Sequence, residues 1–341
     1  MKRFLALFGI SVSLVLYVVL SSQPTALVPP VMSGGVADAP PSASKIGLSA
    51  LLPLPALPSL APGKVALGKQ LFHEPKLSHD NSLSCASCHD LQRGGVDHRR
   101  VSVGIKGQLG SVNAPTVFNA SLNIAQFWDG RAKTLEEQAA GPIQNPIEMG
   151  STWPEVLKKL KADQAYQQAF QHVYPDGITA ANVTDALATF EHSLLTHGAR
   201  FDRYLMGDKQ AMTALEMEGY RRFVDHGCAS CHQGAGVGGN MFQHFGIMED
   251  YFKDRPSTAA DLGRFNVTHL EEDRHVFKVP SLRNVALTAP YFHDGSVDTL
   301  EKAIHIMGRY QLGMELSSED THSIAAFLRT LTGRWEGKSL Q

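Results

Sequence analysis

Cys85-Ala86-Ser87-Cys88-His89 recurs as Cys228-Ala229-Ser230-Cys231-His232, and these two stretches contain all four cysteines of the 341-residue chain. On a helical turn, cysteines at i and i+3 and a histidine at i+4 share one face. Two thioether bonds to the vinyl groups of a porphyrin then bring the imidazole beneath the iron. The repeat therefore predicts two covalently bound haems c, with thioethers from the four cysteines and with His89 and His232 as iron ligands.

Paired cysteines also have uses other than haem attachment. In an exported protein four cysteines suggest two disulfide bonds, and Cys-x-x-Cys pairs also occur in redox sites and zinc sites. The ligand pairs of a four-cysteine zinc site are usually much closer in sequence than these two pairs are. Such a site would also leave both histidines without a role, so we favour haem.

The N-terminus has the pattern of an export signal. Lys2 and Arg3 precede an uncharged apolar run that ends at Leu20, after which the chain turns polar. Residues 1–26 are therefore predicted to be a signal peptide or, because no clear cleavage site follows, an uncleaved membrane anchor. Residues 27–62, rich in Pro and Ala, are predicted to be a linker.

Composition excludes two broad classes of protein. The chain has 31 Lys and Arg against 33 Asp and Glu, a formal net charge of −2, which gives no basic surplus for nucleic acid. Hydrophobic residues are 43% and charged residues 19% of the sequence, so a packed core is expected rather than a disordered chain.

The two halves of the chain repeat one another. At a constant offset without gaps, Pro115-Thr-Val-Phe-Asn119 aligns with Pro280-Ser-Leu-Arg-Asn284. Internal similarity of this kind indicates a duplicated unit. We predict an all-α fold of two cytochrome c-like domains, over residues 63–200 and 201–341, each with one covalently bound haem c.

Helical patterns are clearest towards the end of each half. Residues 155–171 and 180–197 have helical periodicity, and Ser317 with Asp320 is typical of a helix start. No alternating run is long enough to predict a useful strand. These segments are expected to supply the helical cores of the two domains.

The repeat predicts different ligands for the two irons. The helix that follows Thr299 is expected to reach Met307, whereas the residue at the same offset in the first half is Pro142. Pro142 follows Gly141, and a Gly-Pro pair is predicted to end the helix there. Because proline cannot bind iron, we expect Met307 to close the second haem opposite His232 and the first haem to stay open to small oxygen species. The alternatives to Met307 are Met241, Met248 and Met314.

Taken together, the motifs resemble those of the bacterial dihaem cytochrome c peroxidases over residues 63–335. The resemblance rests on Cys85–His89, Gly94–Asp97, Asn113–Thr116, Phe127–Arg131, Gly141–Met149, Cys228–His232, Pro280–Asn284, Tyr291–Gly295 and Met307–Gly308. It implies a periplasmic enzyme that reduces hydrogen peroxide to water with two electrons from a small redox protein, such as cytochrome c or a cupredoxin. It makes the first domain peroxidatic and the second the electron-transfer domain, and it allows a homodimer.

The same resemblance implies roles for individual residues. Glu148 corresponds to the distal acid/base, Gln138 to its hydrogen-bonding companion over the peroxide, and Trp128 to a residue on the electron path between the haems. A single carboxyl above the iron can take a proton from one peroxide oxygen and return it to the other.

A calcium ion at the domain interface is also implied by the resemblance. Its protein ligands would be the side chain of Asn113 and the backbone carbonyls of Thr288 and Pro290. Oxygen ligands suit this ion, although no independent sequence pattern indicates the site.

Two other functions were considered. A dihaem electron carrier would have two six-coordinate haems and would not react with peroxide. A related dihaem oxidase that modifies a protein substrate has a tyrosine where this chain has Met307, which counts against that function.

One loop departs from the family pattern. Many members have a histidine between the first haem motif and the Asn-x-Pro-Thr segment, and it blocks the peroxidatic haem until the other haem is reduced. This chain has Val103-Gly104-Ile105-Lys106-Gly107 there, with Ile105 or Lys106 at the histidine position. The nearest imidazole is His98, and a lysine would have to lose a proton from a group whose unperturbed pKa is about 10.4. We therefore predict that the first haem is open in the fully oxidised enzyme.

Overall fold

The computed structural model describes residues 50–340. The predicted signal peptide or anchor at 1–26 and the first part of the predicted linker lie outside these residues. Within the described part of the chain, no helix is long and apolar enough to cross a membrane.

The described chain is mainly helical, in agreement with the predicted class. Its α-helices are α1 (Pro62–Phe72), α2 (Leu135–Gln144), α3 (Trp153–Lys161), α4 (Gln164–Val173), α5 (Ala180–His192), α6 (Arg200–Leu205), α7 (Ala214–Asp225), α8 (Phe265–Thr268), α9 (Leu300–Ile306) and α10 (Ser318–Arg329). Two short two-stranded antiparallel sheets are also present, one from β1 (Phe242–His244) and β2 (Val276–Lys278), the other from β3 (Arg334–Trp335) and β4 (Lys338–Ser339).

The observed helix boundaries agree with the positions of the capping residues better than with the helical periodicity of the sequence. The helix predicted over 155–171 is instead two helices, because Asp163 accepts a hydrogen bond from the N–H of Ala165 and so starts α4. The helix predicted over 180–197 ends at His192. The start predicted at Ser317 and Asp320 is confirmed as a reciprocal capping box at the beginning of α10.

Helix α2 continues past Pro142, so the helix end predicted at Gly141-Pro142 is wrong. Proline breaks helix interiors, but Pro142 lies in the last turn, where its missing N–H removes a single intrahelical bond. The helix ends at Gln144 because Asn145 precedes Pro146, and a residue before proline is disfavoured in helical conformation. Asn145 is accordingly extended, with φ −68° and ψ 120°.

The apolar residues form two main cores, one in each half of the sequence. The first lies between α1, α2 and α5 and includes Phe72 and Phe190; the second lies between α6, α7 and α10 and includes Phe201 and Phe327. All four rings are at most 2% exposed, and each contributes about 1.5–3 kcal/mol of burial free energy.

A glycine sits at the closest helix contact of each core. A Cβ on Gly68 of α1 would lie 2.0 Å from the carbonyl oxygen of Ala186 on α5, and one on Gly219 of α7 would lie 1.8 Å from that of Ser323 on α10. These distances are far below contact, so the close approach of both helix pairs requires glycine.

Part of the predicted linker packs against the second core. Leu51 is 1% exposed and belongs to that core. The N–H of Leu52 donates to the carbonyl of Gly234, and the carbonyl of Leu52 accepts from the Arg283 guanidinium. Leu51 and Leu52, in the segment that leads to α1, are thus held beside Gly234, which follows the second cysteine motif.

Candidate functional site

The two Cys-x-x-Cys-His stretches adopt the same local structure. Each forms a single 3₁₀ turn, over Cys85–Ser87 and Cys228–Ser230. In each, the N–H of the histidine donates to the carbonyl of the first cysteine at 3.0 Å. The turn therefore brings both cysteines and the histidine together, as attachment of a porphyrin requires.

The chemistry of the cysteines fits thioether attachment. All four are free thiols in the structure, so they form no disulfide bond. Burial raises the pKa of Cys85 to about 12 and that of Cys228 to about 11. Such thiols are neutral rather than reactive thiolates at pH 7, which argues against the redox interpretation.

Both histidines are buried as neutral imidazoles. Burial lowers the pKa of His89, and it lowers that of His232 to about 4. Nδ1 of His89 lies 3.3 Å from the carbonyl of Gly95, leaving Nε2 for a metal. Nδ1 of His232 is a buried nitrogen without a hydrogen-bond partner among the described residues. A neutral ring with a free nitrogen is the form that binds iron.

A cavity of about 300 Å³ lies beside the second motif and is lined by His232 and Met307. None of the three alternative methionines is among the residues that line it. Met307 follows α9 and begins a π-helical turn, Met307–Gln311. Single π turns are frequent at functional sites. The cavity therefore favours Met307 as the sixth ligand of the second iron.

The first half has a carboxyl group after its corresponding helix. Glu148 is partly buried, and burial raises its pKa against the smaller opposing effects of Asn145 and Arg131. The side-chain amide of Asn145 donates to Oε1 of Glu148 at 2.6 Å. Burial, followed by smaller contributions that include the charge of Glu148, raises the pKa of Cys88. The charge of Glu148 is thus felt at Cys88 of the first haem motif.

Gln138 and Asn145 differ in their relation to this carboxyl. Gln138 is half-buried on α2, and its side chain makes no hydrogen bond within the described residues. The hydrogen-bonding companion that the structure gives Glu148 is Asn145, which the sequence analysis missed. The Asn-Pro-x-Glu pattern at 145–148 was its available signal, since Asn before Pro favours a turn.

The loop at 103–109 packs directly on this acidic turn. The N–H of Ile105 donates to the carbonyl of Glu148 at 2.8 Å, and the Ile105 side chain is buried. Lys106 is exposed in a left-handed conformation, with φ 55°. His98 has Nδ1 3.0 Å from the carbonyl of Ala289 and Nε2 3.0 Å from that of Arg93. Both ring nitrogens of His98 therefore face backbone carbonyls rather than a metal site.

Trp128 and the residues assigned to calcium share the wall of the second cavity. The indole N–H of Trp128 donates to the carbonyl of Asn113 at 2.9 Å. The side-chain amide of Asn113 donates to the carbonyl of Arg99, which leaves its oxygen for a cation. Thr288 and Pro290 line the same cavity. Oxygen donors of this kind suit calcium.

Two buried charged residues were also missed. Glu191 on α5 is 6% exposed, and burial, with a smaller effect of Glu136, raises its pKa to about 8. Its i,i+4 spacing from buried Leu187 was the available signal. Lys278 on β2 is 7% exposed, and burial lowers its pKa to about 8.

Comparison with known proteins places this arrangement in a family. The di-haem cytochrome c peroxidase profile matches residues 62–210. Cytochrome c551 peroxidase of Nitrosomonas europaea is 49% identical, with 78% of this chain and 79% of the relative covered. The chain belongs to the di-haem cytochrome c peroxidase family. The predictions of this family and of a peroxidase are thereby confirmed.

One further sequence relative and one solved structure are also similar to this chain. Cytochrome c peroxidase Ccp of Escherichia coli is 52% identical over 271 residues, which are 79% of this chain and 58% of that relative. The crystal structure of a MauG-like protein associated with microbial copper homeostasis superposes with a TM-score of 0.74 at 29% identity, covering 83% of this chain and 93% of the other. The chain thus matches little more than half of the Escherichia coli protein.

Proposed function

We propose that the protein is a periplasmic peroxidase that reduces hydrogen peroxide to water with two electrons from a small redox protein. The observation that carries the proposal is the contrast between its two matching Cys-x-x-Cys-His turns. The second turn shares a cavity with Met307, whereas in the first half Pro142 stands at the corresponding sequence position and the partly buried carboxyl of Glu148 follows it. Haem, when bound, supplies the iron at which peroxide is reduced.

Glu148 has the properties needed to move protons in this reaction. The balance is H₂O₂ + 2 e⁻ + 2 H⁺ → 2 H₂O. Its carboxylate accepts the proton of one peroxide oxygen and returns it to the other oxygen as the O–O bond breaks. Burial raises the pKa of Glu148, which favours return of the proton to the leaving oxygen. The amide of Asn145 holds Oε1 in place.

The second site is assigned to receive electrons from the donor. Met and His ligands raise the reduction potential of haem iron, so His232 with Met307 suits an electron-accepting centre. Trp128 is assigned to the path between the two sites. Its ring lies 6.4 Å from that of His293, and its N–H is held by the Asn113 carbonyl. Calcium bound by Asn113 would stiffen this path.

The donor and the cell compartment follow from charge and from the N-terminal pattern. An exported protein with a net charge of −2 before its haem propionates are counted favours a basic cytochrome c or cupredoxin as donor. The membrane anchor and the homodimer stay predictions.

A turnover assay on the purified holoprotein tests the proposal. Reduced donor and hydrogen peroxide are mixed, and donor oxidation is followed with peroxide consumption. We expect two donor molecules oxidised for each peroxide consumed. Donor oxidation without peroxide consumption would instead identify an electron carrier, and the proposal would then fail.

A further inference from the structure

Lys278 is a buried lysine whose charge the described protein does not neutralise. It lies on β2, where its backbone N–H donates to the carbonyl of Trp128 at 2.9 Å. Its side chain is 7% exposed and makes no hydrogen bond or ion pair with any described residue. By contrast, the surface lysines Lys64 and Lys302 are each paired with an aspartate. A buried ammonium without a partner is costly.

The side chain lines the cavity of the second cysteine motif. Among the described residues around this cavity, Lys278 is the single one of the Lys, Arg, Asp and Glu types. The other titratable side chains on the cavity wall are three histidines, the phenol of Tyr291 and the thiols of Cys228 and Cys231. Burial lowers the pKa of His232, His244 and His293, and His293 is also bonded to Asp261. The described residues of the wall thus offer no carboxylate to the ammonium.

The missing anion has an evident source in a haem bound to this motif. Haem c is tethered through its vinyl-derived carbons, here by Cys228 and Cys231, and its opposite edge has two propionates. Those carboxylates are the anionic part of the ligand that this cavity is expected to hold. Charge-assisted hydrogen bonds between ammonium and carboxylate are the strong ones in proteins.

We propose that Lys278 forms an ion pair with a propionate of the second haem and thereby raises the reduction potential of that haem. This inference rests on the proposed binding of haem at Cys228 and Cys231. The physical reason is that reduction makes the haem one unit more negative, so a fixed cation nearby stabilises the reduced form. At pH 7 the ammonium is mostly protonated, since its pKa is about 8.

A redox titration of the second haem in the holoprotein tests the pairing. Lys278→Met keeps length and apolar volume but removes the charge, whereas Lys278→Arg keeps the charge. Lys302→Met, on the exposed face of α9, is the matched control. All titrations are made with calcium in excess, so that a cation at Asn113, Thr288 and Pro290 is the same in every variant.

We expect Lys278→Met to lower the equilibrium constant for reduction of the second haem about tenfold, the order for one charge roughly 10 Å away at an effective dielectric constant near 20. For a one-electron couple this is about 59 mV. Lys278→Arg and Lys302→Met should leave the potential close to that of the original protein. Lys278→Gln provides the same test if Lys278→Met does not mature.

Measurement of the reduction potential also distinguishes failure of the ion pair from failure of the proposed function. An unchanged potential in both uncharged variants, with both haems attached, would overturn the ion pair and leave the peroxidase proposal intact. An equal fall in Lys278→Arg would also overturn it, because the charge would then not be the cause. Absence of a second covalent haem in the original protein would instead overturn the cofactor assignment itself.

Discussion

Helices α2 and α9 begin in the same way and are followed by different chemistry. A threonine caps each of them, Thr134 for α2 and Thr299 for α9, by accepting a backbone N–H three residues later. At the end of α9 the chain presents Met307 to a cavity, whereas α2 contains Pro142 at the corresponding position. The comparison shows how a duplicated unit can acquire two functions through a few residues after a shared helix start.

The turn after α2 contains a hydrogen-bonded carboxyl group, which the turn after α9 does not have. Asn145 and Glu148 form a hydrogen-bonded pair in the first half, and the second half has a methionine thioether instead. A carboxyl moves protons and a thioether binds iron, so the two ends are suited to different steps. The predictions below test this difference, from the largest effect to the smallest.

Glu148→Gln should have the largest effect, because it removes the group that we propose transfers the proton. We expect both haems to remain attached and O–O cleavage to slow by about 10²–10⁴-fold, as for other lost acid/base groups. Rapid mixing with peroxide measures the rate. Glu137→Gln, exposed in the first turn of α2, is the control and should react normally. Near-normal cleavage in Glu148→Gln would remove this residue from the mechanism.

Met307→His tests the proposed iron ligand that follows α9. Histidine in place of methionine stabilises ferric iron. The equilibrium constant for reduction of the second haem should therefore fall about 10- to 100-fold, and donor-driven turnover should stop. A redox titration with a turnover assay measures both effects. Met314→His, at a rival methionine outside the cavity wall, should leave the potential unchanged. The opposite pattern in the two variants would mean that the wrong methionine was assigned.

Asn145→Ala should have an intermediate effect on the pH profile. Glu148 acts as a carboxylate, so activity falls as the pH drops through its pKa, which burial raises above the ordinary value. The hydrogen bond from Asn145 opposes that rise. Its loss should move the acid limb to higher pH and lower the rate at neutral pH by about tenfold, in line with a hydrogen bond to a charged group.

Gln144→Ala is the control for that variant, since Gln144 lies next in sequence and is exposed. An acid limb at the same pH in Asn145→Ala and the original protein would show that Asn145 does not position or tune the carboxyl. Glu148→Gln should have no such limb at all.

His98→Ala should have the smallest effect on the first site. Its two ring nitrogens face the carbonyls of Arg93 and Ala289 rather than a metal site. The variant should lose about 1 kcal/mol of stability through these hydrogen bonds, and the spin state of the ferric protein should not change. Thermal unfolding and the ferric spectrum measure the two quantities. A change from low-spin to high-spin iron would identify His98 as a ligand after all.

Short-range patterns predicted much of this structure from the sequence. The repeated Cys-x-x-Cys-His turns, the start of α10 and the helical periodicity of the segment that forms α5 follow from local spacing, and all are present. The predicted end of α2 at Gly141-Pro142 is wrong, because Pro142 lies within the last turn and the helix ends only before Pro146. Position within the helix decides whether a proline is tolerated, and a sequence pattern does not fix that position.

The remaining site residues depend on contacts between distant segments. Lys278 and His232 line one cavity only after β2 has packed beside the second motif. His98 is held by Ala289, almost two hundred residues away. Burial of Glu191 depends on the packing of α5 against other helices. No local periodicity encodes such long-range contacts, so the cavity position of Lys278, the partners of His98 and the burial of Glu191 could not be predicted, whereas His232 was assigned from its local motif.

The spin state of the fully oxidised holoprotein tests the contrast between the two sites most directly. Electron paramagnetic resonance is recorded before any reductant is added, and peroxide is then mixed with the same sample. We expect one high-spin and one low-spin ferric haem, with a prompt reaction at the high-spin haem. Two low-spin haems that do not react until the protein is half-reduced would show that both irons have a sixth protein ligand, and would contradict the account.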